Sequence, residues 1–222
     1  FISNVEITNT KIYNTKLTAI EIRNGNNVKI QNCYIENITS GIVMGGGSKN
    51  NLIESNIIKN YLDRGIIIGS DNTEVQYMDI DYVEHNIDGS WHDAINCTIR
   101  NNIIYNGVGA GISFYSAKDI IVTHNTLINV AKSSQAAILF NLSPKLIDYG
   151  VQLYPPNKNI NFTNNIVQSA SQLSLPMIES RIMPASIRPF VWPSEFPINI
   201  KNCNISQPIL LQSKINSNNF NN

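Results

Sequence analysis

A ten-residue phrase that recurs at a fixed distance is the feature that most limits how this chain can fold. Its pattern alternates apolar residues around a central asparagine, and the copies Cys97–Asn106 and Ile120–Asn129 place the central residues Asn102 and Asn125 at a spacing of 23. Across the seven copies, the central position holds Thr10, Cys33, Asn56, Asn102, Asn125, Asn165 and Cys203. So regular a period indicates a repeat architecture in which each unit stacks on the next.

Each repeat unit contains three short alternating segments, which is typical of strands. Two of them flank the central asparagine, and the third begins at a glycine, an alanine or a proline. The third segments are Ala19–Ile22, Gly41–Met44, Gly65–Ile68, Gly111–Phe114, Ala137–Phe140 and Pro208–Leu211. Three strands separated by polar turns form one coil of a parallel β-helix, and coils stack at about 4.8 Å. We therefore predict an all-β, single-stranded parallel β-helix of seven or eight coils.

The same pattern predicts what fills the interior of the helix. Alternation points Ile112 and Phe114 inward, so that like residues stack between coils as aliphatic and aromatic ladders. A buried central asparagine can bond the backbone of its own turn and the asparagines above and below it. We predict that Asn102 and Asn125 are buried and bonded to neighbouring coils, and that Thr10, Cys33 and Cys203 weaken the ladder locally.

The repeated phrase resembles the parallel β-helix repeat of the pectin-lyase-like superfamily, from about Val5 to Leu211. That resemblance implies right-handed coils. The superfamily includes polysaccharide lyases, hydrolases, epimerases, tailspikes and adhesins, so the fold alone does not specify an activity. We interpret the chain as a secreted protein that acts on or binds polysaccharide. The stretches Arg64–Asp71 and Gly109–Asp119 are also similar to a β-helix subgroup of bacteria and eukaryotes, which implies no particular activity. Signatures of polygalacturonases (Asp-Asp, Gly-His-Gly) and of the main pectate lyases (Trp-Ile-Asp-His) are absent from the sequence.

Composition excludes several other classes of function. The 16 basic and 16 acidic residues cancel, so nothing suggests binding to nucleic acid or to an anionic membrane. No apolar run reaches the roughly 18 residues of a membrane-spanning helix. Residues 1–222 are interpreted as one β-helix domain, extracellular or at the cell surface. Because open coil ends need caps, we expect further coils or domains of the same chain at both ends.

Three insertions are predicted, at about 70–94, 141–159 and 171–197, where the repeat steps exceed one period. The outward column of the third strands, which starts at Glu21 and continues through Val43, Ile67, Ser113, Leu139 and Leu210, is mostly apolar. A solvated face would be polar, so either the insertions cover this face or it binds something. We predict that Val43, Ile67 and Leu139 are covered. In the neighbouring column, two glycines and Tyr115 could leave a shelf for a sugar ring.

The first insertion, Ser70–Ala94, lies within a double-length repeat step that could instead hold a degenerate coil. We reject that alternative because Gln76 and Asp81 would then occupy inward apolar positions, and a buried unpaired aspartate costs several kcal/mol. Folded over the third-strand face, the insertion would bring Asp71, Asp79, Asp81, His85, His92 and Asp93 near Arg64 and Tyr115.

The acidic insertion suggests a calcium site, because Ca²⁺ takes six to eight oxygen ligands from flexible loops. Asp71, Asp79 and Asp81 are the candidate ligands, and a merely solvated acidic loop is the alternative. No other cofactor is indicated.

Candidate catalytic residues follow from the chemistry that the resemblance implies. In Ca²⁺-dependent lyases the ion neutralises a uronate carboxylate while a lysine or arginine removes the C5 proton, so Arg64, which follows Asp63, or Lys118 could be the base. A hydrolase would need two carboxylates about 5–9.5 Å apart. The full catalytic set is Asp63, Arg64, His85, His92 and Asp93, and the substrate-binding set is Tyr115, Lys118 and Trp91. The competing interpretation is a structural or adhesive β-helix with no chemistry, in which Trp91 seals an apolar face.

Overall fold

The structure is a computed structural model that describes residues 2–69, 92–132, 136–141, 145–146, 152–153, 155–169, 178–180, 198–205 and 210–211. All the regular structure in these residues is β-strand. Within the same ranges, no helix is long and apolar enough to cross a membrane.

The strands follow the repeat. In the first three coils they are β1 (Ile2–Ser3), β2 (Glu6–Thr8), β3 (Lys11–Tyr13), β4 (Thr18–Arg23), β5 (Gly25–Asn26), β6 (Lys29–Gln31), β7 (Tyr34–Gly45), β8 (Ser48–Lys49), β9 (Leu52–Glu54) and β10 (Ile57–Ile68). In the next two they are β11 (Ala94–Ile95), β12 (Thr98–Arg100), β13 (Ile103–Tyr105), β14 (Ile112–Tyr115), β15 (Ala117–Thr123), β16 (Thr126–Val130) and β17 (Ile138–Asn141). The rest are β18 (Lys145–Leu146), β19 (Gln152–Leu153), β20 (Lys158–Thr163), β21 (Ile166–Ser169), β22 (Ile178–Ser180), β23 (Ile198–Lys201), β24 (Asn204–Ile205) and β25 (Leu210–Leu211).

Parallel pairing between coils confirms the predicted β-helix. Residues one period apart are partners, as in Ile12 with Ile35 and Ile7 with Ile30. The three predicted strands of each coil form continuous stacks, and the described residues make seven coils. A fourth short strand precedes the first one in most coils, as Ala94–Ile95 does between Ser48–Lys49 and Ala117–Lys118.

The interior is filled as alternation predicts. Ile42, Met44, Ile66, Ile112 and Phe114 are fully buried. The rings of Phe114 and Phe140 stack with centroids 4.8 Å apart. This confirms an aromatic step in an otherwise aliphatic ladder.

The asparagine ladder is also confirmed. Asn56, Asn102, Asn125 and Asn165 are buried, and each Oδ1 accepts the main-chain N–H of the equivalent residue in the preceding coil at 2.8–3.0 Å. Each Nδ2 donates to a main-chain carbonyl oxygen. The Cys33 thiol replaces one such amide and donates to the carbonyl of Ile7 at 3.5 Å.

Asparagine has a second role at the corners of each coil. Many described residues other than glycine have positive φ, and most of them are asparagines spaced by the repeat, such as Asn9, Asn32, Asn101 and Asn164. Asparagine tolerates the left-handed conformation better than most residues because its short polar side chain bonds locally. The corners therefore explain much of the asparagine content that the central ladder leaves unexplained.

The double-length step contains no additional coil between its flanking coils. Strand β10 pairs directly with β13 and β14, and Asn56 Nδ2 donates to Asn102 Oδ1 at 3.0 Å. The direct bond leaves no ladder position free between Asn56 and Asn102, as predicted, whereas Asp79 itself lies outside the described residues. The end of the predicted insertion differs, because Ala94 already belongs to β11.

The later insertions contain strands that were not predicted. Within 141–159, β18 and β19 form an antiparallel pair. Within 171–197, β22 takes the third-strand position of its coil, between β17 and β25. Strand β22 was not predicted because Ile178 follows Met177 and lacks the glycine, alanine or proline that begins the other third strands.

Candidate functional site

The outward face of the third strands, here called the third-strand face, is mostly apolar, and it is covered beyond Glu21, as far as Leu139. Val43 and Ile67 are each 8% exposed, and Leu139 is fully buried. This confirms that these three residues do not face bare solvent. The share of that cover contributed by residues 70–91 stays a prediction, because they lie outside the described residues.

A β-bulge in β10 sets the position of the charged pair on this face. Tyr61 is paired with Ile38, at the normal spacing of one period, whereas Arg64 is paired with Ser40, at a spacing one position longer. One extra residue has therefore entered the strand between Tyr61 and Arg64. Bulges re-aim side chains and are frequent next to functional sites. This one lies at the start of the third strand, and Asp63 and Arg64 lie in or beside it.

The bulge brings together a small polar group. Arg64 Nη1 donates to Asp63 Oδ2 at 2.9 Å, and the same carboxylate oxygen accepts from Ser40 Oγ at 3.2 Å. The guanidinium carbon of Arg64 lies 5.2 Å from the centre of the Tyr115 ring. The Arg64 side chain is only 13% exposed. The arginine is thus held between a carboxylate and an aromatic ring in a largely desolvated position.

Among the described residues of this region, two buried polar atoms have no hydrogen-bond partner. They are the Nε of Arg64 and the Oγ of Ser113, whose Cα partner in β10 is Ile67. Buried polar groups are normally satisfied, and each exception calls for an explanation. Ser40 and Ser113 were not predicted as site residues. A sequence signal for the bulge did exist, because the spacing from Gly41 to Gly65 is one position longer than that from Cys33 to Asn56.

Of the predicted site residues, the structure brings Asp63, Arg64 and Tyr115 together. Tyr115 is 2% exposed, so it packs with Val43 and Ile67 and is not an open shelf. Its predicted role in sugar binding therefore requires the cover over it to move.

His92 and Asp93 lie in the turn that precedes β11. His92 is buried, and its Nε2 lies 3.0 Å from the carbonyl oxygen of Pro156. The main chain of Asp93 accepts from the N–H groups of Gly47 and Ser48 and donates to the carbonyl of Ser116. Asp93 thus helps to hold adjacent coils in register, whereas His92 contacts a turn two coils further on. The predicted catalytic roles of both residues stay predictions.

The remaining candidates lie elsewhere. Lys118 is half-buried on β15, in the fourth-strand stack, where Ile95 and Lys158 are its Cα partners. Five candidates fall outside the described residues: Asp71, Asp79, Asp81, His85 and Trp91. Among the residues that are described, no group of three His, Cys, Asp or Glu side chains could hold a metal ion. Calcium binding thus stays a prediction about the first insertion.

Comparison with known proteins agrees with this architecture. A family model described as "Right handed beta helix region" matches residues 2–167. Comparison of the sequence with curated proteins gives no match.

Two solved structures share the fold at low sequence identity. The A-module of the mannuronan C-5 epimerase AlgE4 from Azotobacter vinelandii superposes with a TM-score of 0.55 at 14% identity, covering 96% of this chain and 57% of that one. An alginate lyase from Paenibacillus sp. str. FPU-7 superposes with a TM-score of 0.50 at 14% identity, covering 97% of this chain and 74% of that one. The chain thus spans little more than half the length of the AlgE4 module, and at this identity the likeness concerns the fold alone.

Proposed function

Because this chain belongs to the right-handed β-helix family, we propose that it binds an acidic polysaccharide, or acts on one, at the third-strand face beside Arg64. The observation that carries the proposal is the buried, incompletely bonded Arg64 guanidinium on an otherwise apolar face. The epimerase and the alginate lyase that share the fold are both named for uronate polymers. Their names support the choice of polymer class, while the residues of this chain supply the physical argument.

The chemistry of Arg64 favours a carboxylate ligand. A guanidinium binds a carboxylate through two parallel N–H donors, and such charge-assisted pairs are stronger than neutral hydrogen bonds. Nη1 already donates to Asp63, while the buried Nε–H has no acceptor in the part of the chain that the structure describes. A uronate carboxylate that entered when the cover moved would supply that acceptor. Ser113 Oγ, also without a partner, could then bond a sugar hydroxyl.

If the protein is an enzyme, lyase or epimerase chemistry fits the charged residues better than hydrolysis. Removal of the C5 proton needs a base and a positive charge that stabilises the resulting carbanion next to the carboxylate. Arg64 would neutralise the carboxylate, and the base would come from Lys118, His85, His92 or Asp93. Ca²⁺ held by Asp71, Asp79 and Asp81 would add a second positive charge.

A non-catalytic structural or adhesive role is the second candidate, and the buried third-strand face favours it. Val43, Ile67, Leu139 and Tyr115 are all at most 8% exposed, as expected of a sealed surface. In the structural or adhesive role, Arg64 and Asp63 only stabilise the β-bulge in β10. Both versions are proposed to operate outside the cell or at its surface, where polysaccharide is met.

The test is a panel of uronate polymers and oligosaccharides, with binding followed by calorimetry and cleavage by the absorbance of unsaturated product. Arg64→Ala should lower uronate affinity at least tenfold. Arg100→Ala is the matched control, because Arg100 pairs with Glu54 on a first strand and lies on a different stack. Equal affinities of the two variants would overturn the Arg64 site. Binding without product or epimerised polymer would favour the adhesive version.

A further inference from the structure

The outward face of the second strands carries aromatic and charged side chains that the third-strand site does not use. Lys11 and Tyr34 are Cα partners in adjacent coils, as are Tyr13 and Glu36. Lys59 follows Glu36 in the next coil. These five residues are called the tyrosine patch below. Because alternate residues of a strand share a face, all five point away from the core.

An open pocket lies in this patch. Its volume is about 410 Å³, and it is lined by Lys11, Tyr13, Tyr34 and Glu36. Tyr13 is 62% exposed. The pocket is shallow and open to solvent, so a ligand would lie along its aromatic wall and polar groups without being enclosed.

The polar groups of the patch are fixed in place. The Tyr34 hydroxyl donates to Glu36 Oε2 at 2.7 Å, and Lys59 Nζ lies 3.1 Å from Glu36 Oε1. The Lys59 ammonium also lies 5.2 Å from the centre of the Tyr34 ring and 5.9 Å from that of Tyr105. The pKa of Glu36 is lowered, mainly by the hydrogen bond from Tyr34 and next by the one from Lys59. The pKa of Lys59 is raised, mainly by its interaction with Tyr34 and next by its hydrogen bond to Glu36.

Lys11 differs from Lys59, because it makes no ion pair with any residue that the structure describes. It is exposed at the edge of the pocket, beside Tyr13. The patch thus offers one uncommitted cation next to an exposed aromatic ring. A prearranged carboxylate lies one coil further on, and its ammonium partner lies two coils further on.

The geometry points to a second uronate-binding site at the tyrosine patch, separate from the third-strand face. A pyranose ring would stack on Tyr13, its carboxylate would pair with Lys11, and its hydroxyls would bond Glu36 and Lys59. Together with Tyr105, which is the Cα partner of Lys59 in the next coil, the patch forms a surface four coils long, about 14 Å at the strand spacing, so an extended oligosaccharide can follow the axis. The inference shares its ligand class with the function proposed above but rests on different residues.

A second copy of this chain is the competing occupant, because isoleucines continue the same face. Ile103, Ile128 and Ile166 are 44%, 40% and 48% exposed. Yet the cores of protein interfaces are depleted in lysine and glutamate, whereas the pocket is lined by both. Polar side chains beside aromatic rings suit a sugar, which presents an apolar ring face and a rim of hydroxyls.

Calorimetric titration with oligogalacturonate and oligomannuronate tests the inference, with a neutral cello-oligosaccharide as the comparison ligand. The wild type should show two uronate sites. Tyr13→Ala should weaken one of them at least tenfold, and Lys11→Ala should abolish the preference of that site for uronate over the neutral ligand. Tyr13→Phe should retain binding, because stacking needs only the ring.

Arg64→Ala separates this inference from the proposed function. Loss of one site in Tyr13→Ala and of the other in Arg64→Ala supports both proposals. If only Arg64→Ala weakens binding, or if no uronate binds, the patch is not a glycan site. If only Tyr13→Ala weakens uronate binding, the tyrosine patch is supported as a binding site and the third-strand site is contradicted. Self-association in sedimentation velocity that Tyr13→Ala abolishes, without uronate binding there, would assign the patch to a second copy and overturn the inference.

Discussion

Asn102 donates through Nδ2 to Oδ1 of Asn125 at 2.9 Å, and its main-chain N–H donates to the same oxygen at 3.0 Å. One amide oxygen thus joins two coils through two bonds. The same arrangement links Asn56 to Asn102 and Asn125 to Asn165. The ladder is therefore a continuous chain of bonds through the interior of four coils, and removing one link exposes unpaired groups on both sides.

The first prediction concerns that link. Asn102→Leu should lower the free energy of unfolding by about 1–3 kcal/mol, because the N–H of Asn56 and the carbonyl of Ile53 lose their partners in a buried site. Urea unfolding measures the change. Asn204→Leu, at an exposed strand position, is the control and should change stability little. Equal effects of the two substitutions would contradict a structural role for the ladder.

The second prediction concerns the corner asparagines. Asn32 has φ 54°, a left-handed conformation that costs most residues about 1–2 kcal/mol and costs glycine almost nothing. Asn32→Ala should therefore destabilise the protein by about 1 kcal/mol more than Asn32→Gly. Thermal unfolding of both variants provides the comparison. An alanine variant as stable as the glycine variant would show that the corner does not require this conformation.

Much of this fold could be predicted because a solenoid imposes the same demand at every period. A side chain that fits at Asn102 fits again at Asn125, so the spacing alone gave the register and the inward columns. The strand Ile178–Ser180 was not predicted because it does not begin with the glycine, alanine or proline found at the start of the other third strands. The corner asparagines escaped because their role depends on backbone angles, which alternation of polar and apolar residues does not report.

The candidate site was less predictable, for a related reason. The repeat places Arg64 and Tyr115 on adjacent strands, so their proximity could be expected. The extra residue of the bulge was visible in the lengthened spacing between Gly41 and Gly65, although only the structure shows that it directs Arg64 toward Asp63 and Tyr115. No period constrains an insertion, so the positions of Asp71, Asp79 and Asp81 could not follow from the repeat.

The third prediction contrasts two tyrosines. Tyr61 is fully buried, and its hydroxyl has no hydrogen-bond partner among the described residues. Tyr61→Phe should therefore raise the free energy of unfolding by about 1 kcal/mol. The Tyr34 hydroxyl donates to Glu36, so Tyr34→Phe should lower it slightly. Chemical denaturation of the two variants measures both changes in the free energy of unfolding, which should have opposite signs. A destabilised Tyr61→Phe variant would mean that the hydroxyl is satisfied in solution.

The last prediction concerns the Cys97 thiol. Burial raises the pKa of Cys97 from its ordinary 9.0 to about 11, and its Sγ donates to the carbonyl of Ile95 at 3.3 Å. In the unfolded chain the thiol ionises near pH 9, so between pH 9 and 11 the unfolded state binds fewer protons than the native one and stability falls as pH rises. The contribution of the Cys97 thiol to the free energy of unfolding is therefore unchanged below pH 9 and falls by about 2–3 kcal/mol by pH 11. Urea unfolding at pH 8 and pH 11 should therefore show a smaller loss for Cys97→Ala than for the wild type, since other titrating groups are common to both. A stability difference between the two proteins that stays the same at both pH values would show that the thiol ionises equally in the native and unfolded states.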